Sequence, residues 1–497
     1  MGSLALSAES RKALLSGLQS VYDNHRFLDA YRLSAFYWKD STKIDELSVE
    51  EMIFAGRLAS RLGGFRLSRY FYRAAREREP DLPLVRYFTR HINGSRGLLL
   101  DELRNFEKNP DLGGDDAELR ASWLAGYAHT FAILRDFSRA QDLLKQAQTL
   151  SPQSAWIYSI EADVLGMADQ WQDSLRSAER GCAADSRSPW PILILANALL
   201  NLGEIGVAVR RLAHAAEDTQ FQQVVQTACW YHCALAETLE GDKRRHALEE
   251  ARRLAEQIEP MSPLADREFR ASLARAWLDI SELADDHAAM EHWSRGARSP
   301  FHRKVLSNLK ANPDGKRIRL PYRRTIQKHV ECVPTSISSA LSATGVNILL
   351  EELAHEVTFG GTAEWAAADW LREKGFHVRF FAATEETAAR LVEAGIGFTV
   401  SWDDDESGQA VAIIGIDHAA GIAIAHDPAS FRSTDYLLSS FANQHGPLRC
   451  ACPGCCSADT CQLTGYDSAT GSRGGRNRAV PSEGARAVWA VGSASDG

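Results

Sequence analysis

A period of 34 residues in the first half of the chain constrains its fold more than any other feature. Ala128, Ala162 and Ala196 lie 34 residues apart. Five further positions of the repeat also carry residues of matched size class in the three units, and we call each such set of equivalent positions a column. They are Phe131, Leu165 and Leu199; Phe137, Trp171 and Ile205; Ala140, Ser174 and Ala208; Leu144, Ala178 and Leu212; Ala147, Gly181 and Ala215. Small residues at a fixed spacing allow helices to approach closely, and large apolar ones bury a shared face. The pattern therefore predicts stacked helical units that each contact their neighbours.

The period and residue types resemble the tetratricopeptide repeat (TPR), a helix-turn-helix of this length. Pro152 closes the first of the three units, where that family often has proline. Fainter copies flank them, whereas residues 93–116 break the register and predict an irregular unit. The resemblance implies an α-helical superhelix of about eight to nine helix pairs over residues 1–310. A protein or peptide partner would then bind its concave face. A generic helical bundle with accidental periodicity is the alternative.

Composition and charge indicate which kinds of partner the protein is not expected to bind and in which cellular compartment it is expected. The net charge of −9 gives no reason to expect nucleic-acid binding, which needs a basic face. The most apolar stretch, residues 190–202, is too short to span a membrane and carries two Asn residues. The first residues make a poor secretory signal. We therefore expect a cytoplasmic protein with no membrane or nucleic-acid partner, and the sequence does not indicate an oligomeric state.

A second domain is predicted over residues 317–448, after a turn-rich linker at residues 312–316. From Val333 onward the apolar residues keep helical spacing, and Pro334 suits a first helical turn. Cys332 is therefore predicted at a helix N-terminus, where unsatisfied backbone amides favour a thiolate. Gln327 lies five residues upstream, where its amide could face a developing oxyanion.

These residues resemble a papain-like cysteine peptidase domain, and more closely the bacteriocin double-glycine leader peptidases (cysteine peptidase family thirty-nine). The resemblance covers about a quarter of the chain. It implies an α+β fold, a Cys nucleophile, a His base at the head of a strand, and an orienting Asp before a Pro. Cys332 matches the nucleophile and Asp427, before Pro428, matches the orienting residue. Gln409 stands where the base should be.

Glutamine forms hydrogen bonds but cannot shuttle a proton near neutral pH. His426 should face away from Asp427 on its strand, His418 should lie exposed in a turn, and His329 is the one serious substitute. We therefore expect a weakened or inactive site made of Cys332, Gln327 and Asp427, with Gln409 in the base position. The alternative for Cys332 is that it is merely a buried small hydrophobe.

The last segment, residues 449–497, is predicted to be a Cys-rich and then disordered tail. Its five cysteines follow C-x-C-x2-C-C-x4-C: Cys450, Cys452, Cys455, Cys456 and Cys461. Zinc binding is one interpretation, although the two-pair layout of structural zinc sites is absent. The other interpretation is that the tail is encoded out of frame with the preceding domain. We expect no cofactor or metal, and disorder beyond about Ser457. Ala485–Gly492 is the exception, because its alternation could supply one edge strand.

Together the patterns and the two resemblances imply a bacterial repeat scaffold that presents a polypeptide to a peptidase-like domain with weakened or lost activity. Two alternatives remain. One is an active cysteine peptidase or thiol acyltransferase acting on a peptide or a carrier protein with another base. The other is a purely non-catalytic binding adaptor.

Overall fold

The computed structural model describes residues 8–35, 45–90, 99–381, 383–403, 408–441 and 485–493. These residues form two compact units, which divide between Ile280 and Ser281. None of the described helices is both long enough and apolar enough to cross a membrane.

The first unit is built from helices. They are α1 (Ala8–Asp23), α2 (Phe27–Leu33), α3 (Val49–Arg61), α4 (Phe65–Arg78), α5 (Pro83–Thr89), α6 (Leu99–Lys108), α7 (Ala117–Ile133), α8 (Phe137–Leu150), α9 (Ala155–Met167), α10 (Trp171–Ala184), α11 (Pro189–Asn201), α12 (Ile205–Asp218), α13 (Gln222–Ala236), α14 (Gly241–Ile258) and α15 (Arg267–Leu283). The division between the units falls within α15.

The 34-residue period is realised as helix pairs. The second helix of three successive pairs begins at Phe137, Trp171 and Ile205, and the first helix of each ends four residues earlier. The alanine column at Ala128 and its two equivalents is fully buried, because these side chains lie where the paired helices approach closely. The first unit is therefore a TPR-like helical repeat array, as the sequence predicted. The predicted irregular stretch is flanked by the short α5 and contains α6.

The turn inside each of these pairs uses one left-handed residue at the same repeat position. Arg135, Asp169 and Gly203 have φ of 66°, 59° and 82°. Only Gly adopts this conformation without a steric cost, so two of the three turns tolerate strain that the third avoids.

Trp171 is half-buried rather than enclosed. Its ring packs over Gly166 of the preceding helix, where an added Cβ would lie 2.8 Å from Cζ3. Truncation of Trp171 to Ala should therefore cost less than the about 3–5 kcal/mol of a fully buried aromatic residue.

The array also contacts itself across about two hundred residues of sequence. The N–H of Leu264 donates to the carbonyl of Leu62 (3.2 Å), and the N–H of Asp266 donates to that of Gly63 (3.0 Å). The Asp266 carboxylate accepts from the N–H of Arg66 at 2.8 Å. The α3–α4 pair is thus fastened to the segment that leads into α15, which closes the array on itself.

A second long-range contact involves α2. The Phe27 ring packs on Phe221 with centroids 5.7 Å apart, and Phe221 in turn packs on Trp190 at 5.4 Å. His25 Nε2 lies 2.9 Å from an oxygen of Asp185. Part of the surface formed by the N-terminal ends of α11 and α13 is therefore covered by the chain itself.

The second unit contains α16 (His287–Ala297), α17 (Pro300–Ala311), α18 (Cys332–Ala343), α19 (Leu350–Val357), α20 (Glu364–Glu373) and α21 (Glu385–Glu393). Its strands are β1 (Arg317–Arg319), β2 (Phe376–Phe381), β3 (Phe398–Asp403), β4 (Gly408–Asp417), β5 (Ile422–His426), β6 (Ser433–Leu437) and β7 (Ala485–Ser493). The alternating helices and strands that the sequence predicted between Cys332 and Pro428 are present.

The compact unit begins earlier than the domain predicted from residue 317. Helix α17 belongs to it because Asn308 Nδ2 donates to the carbonyl of Ala420 (2.9 Å), and Asn312 Nδ2 donates to that of His418 (3.1 Å). These bonds join the end of the helix to the turn between β4 and β5. The turn-rich linker at residues 312–316, on which the sequence boundary depended, carries no signal for such side-chain contacts.

The described strands form one antiparallel sheet in the order β2-β7-β3-β4-β5-β6, and β1 pairs with the end of β4. Along β4, Ala412 and Ile414 pack towards α18, whereas Val411 and Ile413 join a cluster that includes Val392 of α21. Strand β4 is therefore buried on both faces, which explains its nearly continuous apolar sequence.

Strand β7 corrects the prediction for the tail. Ala485–Ser493 forms a strand as the sequence pattern indicated, but it pairs with β2 on one side and β3 on the other. It is therefore an interior strand and not the edge strand that the sequence suggested. The pattern identified the strand but carried no information on which strands it pairs with.

Candidate active site around Cys332

Cys332 is the first residue of α18, as the sequence predicted, and it is half-buried. Three backbone N–H groups lie near its sulfur: its own, that of Val333 and that of Ala410 at the head of β4. These groups place the sulfur where the helix N-terminus meets the first residues of a central strand.

The protonation state of Cys332 differs from the sequence expectation. Burial raises the pKa of the Cys332 thiol above its ordinary value, and the nearby Asp427 carboxylate raises it further. The three backbone amides lower it, but burial is the larger effect. The net shift of the thiol pKa is therefore upward, against the direction that a helix N-terminus alone favours.

The three other predicted site residues are brought together. Gln409 Nε2 donates to Asp427 Oδ1 at 2.9 Å and approaches Gln327 Oε1 at 3.4 Å. The N–H of Gln327 donates to the carbonyl of Pro428 at 2.9 Å, which fixes the upstream loop against the residues after β5. Asp427 is buried and also accepts from the N–H of Ala429 at 3.0 Å. The Gln409 amide is thus hydrogen-bonded to the buried Asp427 carboxylate.

Two features of this region escaped the sequence analysis. Val330, two residues before Cys332, has φ of +57°, which is a strained conformation for a β-branched residue. Ser336, one turn into α18, donates from Oγ to the carbonyl of Ala410 at 3.0 Å and ties the helix to β4. The hydroxyl residues at buried positions of α18 were the available signal for the second feature.

The histidines considered as substitute bases have different surroundings. His426 is fully buried, and its Nε2 lies 2.9 Å from the carbonyl of Thr325. His418 is half-buried in its turn, not exposed as expected, and lies 3.3 Å from Glu393. His329 is exposed in the loop before Cys332.

The described residues contain no group of three or more His, Cys, Asp or Glu side chains arranged to hold a metal ion. The cysteine cluster from Cys450 to Cys461 lies outside the described residues. Zinc binding by this cluster and an out-of-frame origin of the tail therefore both stay predictions.

Comparisons with known proteins identify no family for the whole chain. No protein-family model matches it, and no curated protein matches its sequence. A thermophilic TPR protein of Thermus thermophilus aligns with 34% of this chain and 91% of its own, at 18% identity and a TM-score of 0.28. The human IFIT1 dimer with PPP-AAAA aligns with 79% of this chain and 93% of its own, at 14% identity and a TM-score of 0.36. Because both TM-scores are low, the repeat assignment depends on the helix spacing of this chain itself.

Fold and site together define a class. The chain is a TPR-like helical repeat protein whose C-terminal part contains a small antiparallel sheet, with a cysteine, two carboxamides and a carboxylate grouped near the head of its central strand.

Proposed function

We propose that the repeat array binds a polypeptide partner and presents it to a papain-like domain whose peptidase activity is weakened or lost. The observation that carries this proposal is the 2.9 Å bond from Gln409 Nε2 to Asp427 Oδ1. The amide takes the orienting bond that a catalytic imidazole would take, and an amide cannot accept the thiol proton.

The state of the thiol supports the same proposal. A thiol held protonated by burial is a poor nucleophile, and Gln409 cannot later deliver a proton to a leaving amine. The strained Val330 fits a functional loop, because such conformations persist mainly where function requires them. A non-catalytic peptide-binding site is compatible with all of these contacts, so the adaptor alternative is the second candidate.

The test is Gln409→His, which supplies the missing base next to Asp427. With a fluorogenic peptide that ends in Gly-Gly before its reporter, cleavage should rise by about 10²–10⁴-fold, the usual contribution of a positioned general base. The rate of alkylation of Cys332 by iodoacetamide should also increase near neutral pH, because a neighbouring imidazole stabilises the thiolate.

Gln409→Asn is the matched control, since it changes the same position without adding a base. Cys332→Ala in the Gln409→His background should abolish the new activity. If the unmodified chain already cleaves the peptide briskly and loses that activity with Cys332→Ala, the weakened-peptidase proposal is wrong. His329→Ala would then show whether that residue is the base.

A further inference from the structure

One side of α4 carries a row of arginines, in a chain whose net charge is −9. They follow one another at steps of three, four and three residues, which places them on one face of the helix. All of them are exposed, whereas the opposite face buries Phe71 in the core that α4 shares with α3. They are Arg66, Arg69, Arg73 and Arg76, and we call them the arginine stripe.

The stripe borders a single surface groove of about 550 Å³. The residues that line this groove are Arg66, Leu67, Arg69, Tyr70 and Arg73. Tyr70 is 49% exposed, so the groove offers an aromatic ring beside the guanidinium groups. The charged and apolar side chains therefore belong to one continuous surface and are not neighbours in sequence alone.

The protein itself offers little negative charge to the stripe. In the described part of the chain, the guanidinium groups of Arg66, Arg73 and Arg76 form no ion pair. Arg69 Nη2 lies 3.3 Å from a carboxylate oxygen of Glu268 in α15, and the two side chains are 45% and 63% exposed. An ion pair so exposed stabilises a fold little, so a carboxylate of a partner can take the place of Glu268.

The stripe is unfavourable for the helix that carries it. Arg66 lies in the first turn, where the helix dipole disfavours a positive charge and no acidic residue balances it. Arg69 and Arg73 are four residues apart, and a like-charge pair at this spacing also weakens a helix. A surface that met only water would gain from mixed charges. Local features that cost stability occur mainly at functional sites, so the stripe indicates a binding role.

Carboxylates bound the stripe at both ends. Near Arg66, the Asp266 carboxylate accepts from the N–H of that residue at 2.8 Å and from two N–H groups of α15. After Arg76, the exposed Glu77 and Glu79 follow in the sequence. The basic face is therefore about 15 Å long, which is the rise of a helix over ten residues.

We propose that the arginine stripe binds an acidic helical segment of a polypeptide partner. A helix with Glu or Asp at the same steps of three, four and three residues matches the spacing of the guanidinium groups, and a guanidinium binds a carboxylate through two parallel hydrogen bonds. An apolar side chain of the same segment would lie in the groove on Leu67 and Tyr70. The proposal rests on the proposed function and deepens it, because it gives the chemical class of the polypeptide that the repeat array binds.

A nucleic-acid strand fits this surface less well. Guanidinium groups also bind phosphates, but a strand longer than about 15 Å would continue past the stripe and meet the carboxylates at its ends. The net charge of −9 would also oppose the approach of a long polyanion. An acidic segment whose carboxylates are confined to about three helical turns avoids both penalties.

The test is fluorescence anisotropy with the full chain at low ionic strength. Two fluorescein-labelled, Ala-rich peptides of about 18 residues have the same composition and the same net charge. The striped peptide carries four Glu residues at steps of three, four and three, and in the scrambled peptide the same residues are spread around the helix. The striped peptide should bind at least about fivefold more tightly, since only it presents every carboxylate to the arginines, and added salt should weaken its binding.

The stripe variant, Arg66→Gln combined with Arg73→Gln, should bind the striped peptide roughly fivefold more weakly, because two exposed ion pairs are lost. The matched control is Arg104→Gln combined with Arg245→Gln, which removes two exposed positive charges from other helices of the same unit. Glu268→Gln should tighten binding by roughly twofold, because it removes the protein's own competing carboxylate. Circular dichroism should be unchanged in all three variants, since every replaced side chain is exposed.

Equal binding of the two peptides, an equal loss in the control variant, unchanged affinity in the stripe variant, or a failure of Glu268→Gln to tighten binding would overturn the proposal. Binding of a single-stranded oligonucleotide that is weakened in the stripe variant, without binding of either peptide, would overturn it in favour of nucleic acid. Stripe-dependent peptide binding with an inactive Gln409→His variant would contradict only the peptidase part of the proposed function. An active Gln409→His variant without stripe-dependent binding would contradict only the arginine site.

Discussion

At the scale of single residues, the candidate site depends on Gln409 and on the surroundings of Cys332. The sequence identified Gln327, Cys332, Gln409 and Asp427 from motif order alone, and the structure brings the two carboxamides and the carboxylate together. The sequence could not show which of two opposing effects on the pKa of the Cys332 thiol is larger. A helix N-terminus lowers a thiol pKa and burial raises it, and only the three-dimensional packing shows that burial is the larger effect at Cys332.

Another residue whose behaviour depends on packing is His232 in α13. It is buried, and burial lowers its pKa to about 4 from an ordinary value of 6.5, although Glu250 acts in the opposite direction. The unfolded chain binds a proton at this position more readily than the folded chain does. The stabilisation that this difference provides is therefore complete above pH 6.5 and is lost as pH falls from 6.5 towards 4.

We predict that the first unit loses about 3 kcal/mol of unfolding free energy over this pH range through His232. His232→Leu should remove most of this pH dependence, as measured by urea unfolding at about pH 7 and about pH 4.5. His214→Leu, which replaces an exposed histidine of α12, is the control and should leave the dependence unchanged. Parallel pH profiles for the parent and His232→Leu would contradict the prediction.

At the scale of elements, the helix pairs were predictable from the sequence and the turns inside them were not. Residues of matched size that recur every 34 positions indicate where helices approach each other, so the helix pairs follow from the sequence. The left-handed turn position does not, because Arg135, Asp169 and Gly203 share a backbone conformation but no side-chain property.

Two glycines three residues apart test this interpretation of the turns. Gly203 has φ of +82° with open space around it, so Gly203→Ala should destabilise the first unit by about 1–2 kcal/mol through backbone strain alone. Gly206 lies within α12, where Ala is favoured over Gly, so Gly206→Ala should stabilise it by about 0.5–1 kcal/mol. Thermal unfolding of the two variants checks the signs, and a shift in the same direction for both would refute the turn assignment.

The interior position of β7 leads to the second prediction at this scale. Truncation before Ala485 removes the strand between β2 and β3 and leaves both with unpaired edges. We expect the Tm of the second unit to fall by at least about 2–4 °C, because the loss should exceed about 1 kcal/mol. Truncation after Ser493 keeps β7 intact and serves as the matched control. Identical melting of the two truncated chains would show that β7 does not stabilise the sheet.

At the scale of the whole molecule, local sequence patterns predicted individual elements but not the long-range contacts between them. The alternation in Ala485–Gly492 was enough to predict a strand, but its partners β2 and β3 lie about one hundred residues upstream. Likewise, no sequence pattern indicated that Asn308 and Asn312 bond to the turn after β4, or that residues near Gly63 meet those near Asp266. Pairings of this kind depend on the geometry of the assembled fold and leave no periodic trace.

The closure of the array between Gly63 and Asp266 has a consequence for how this protein can change over time. An open solenoid gains or loses whole repeats readily, because each unit contacts only its neighbours and the ends are free. Here one extra or missing unit would carry the segment before α15 away from Leu62 and Gly63 and break the bonds at 3.2 and 3.0 Å. Duplication or loss of a single repeat, tolerated in most such arrays, should therefore be selected against between these two segments, and the number of units in this stretch should be fixed.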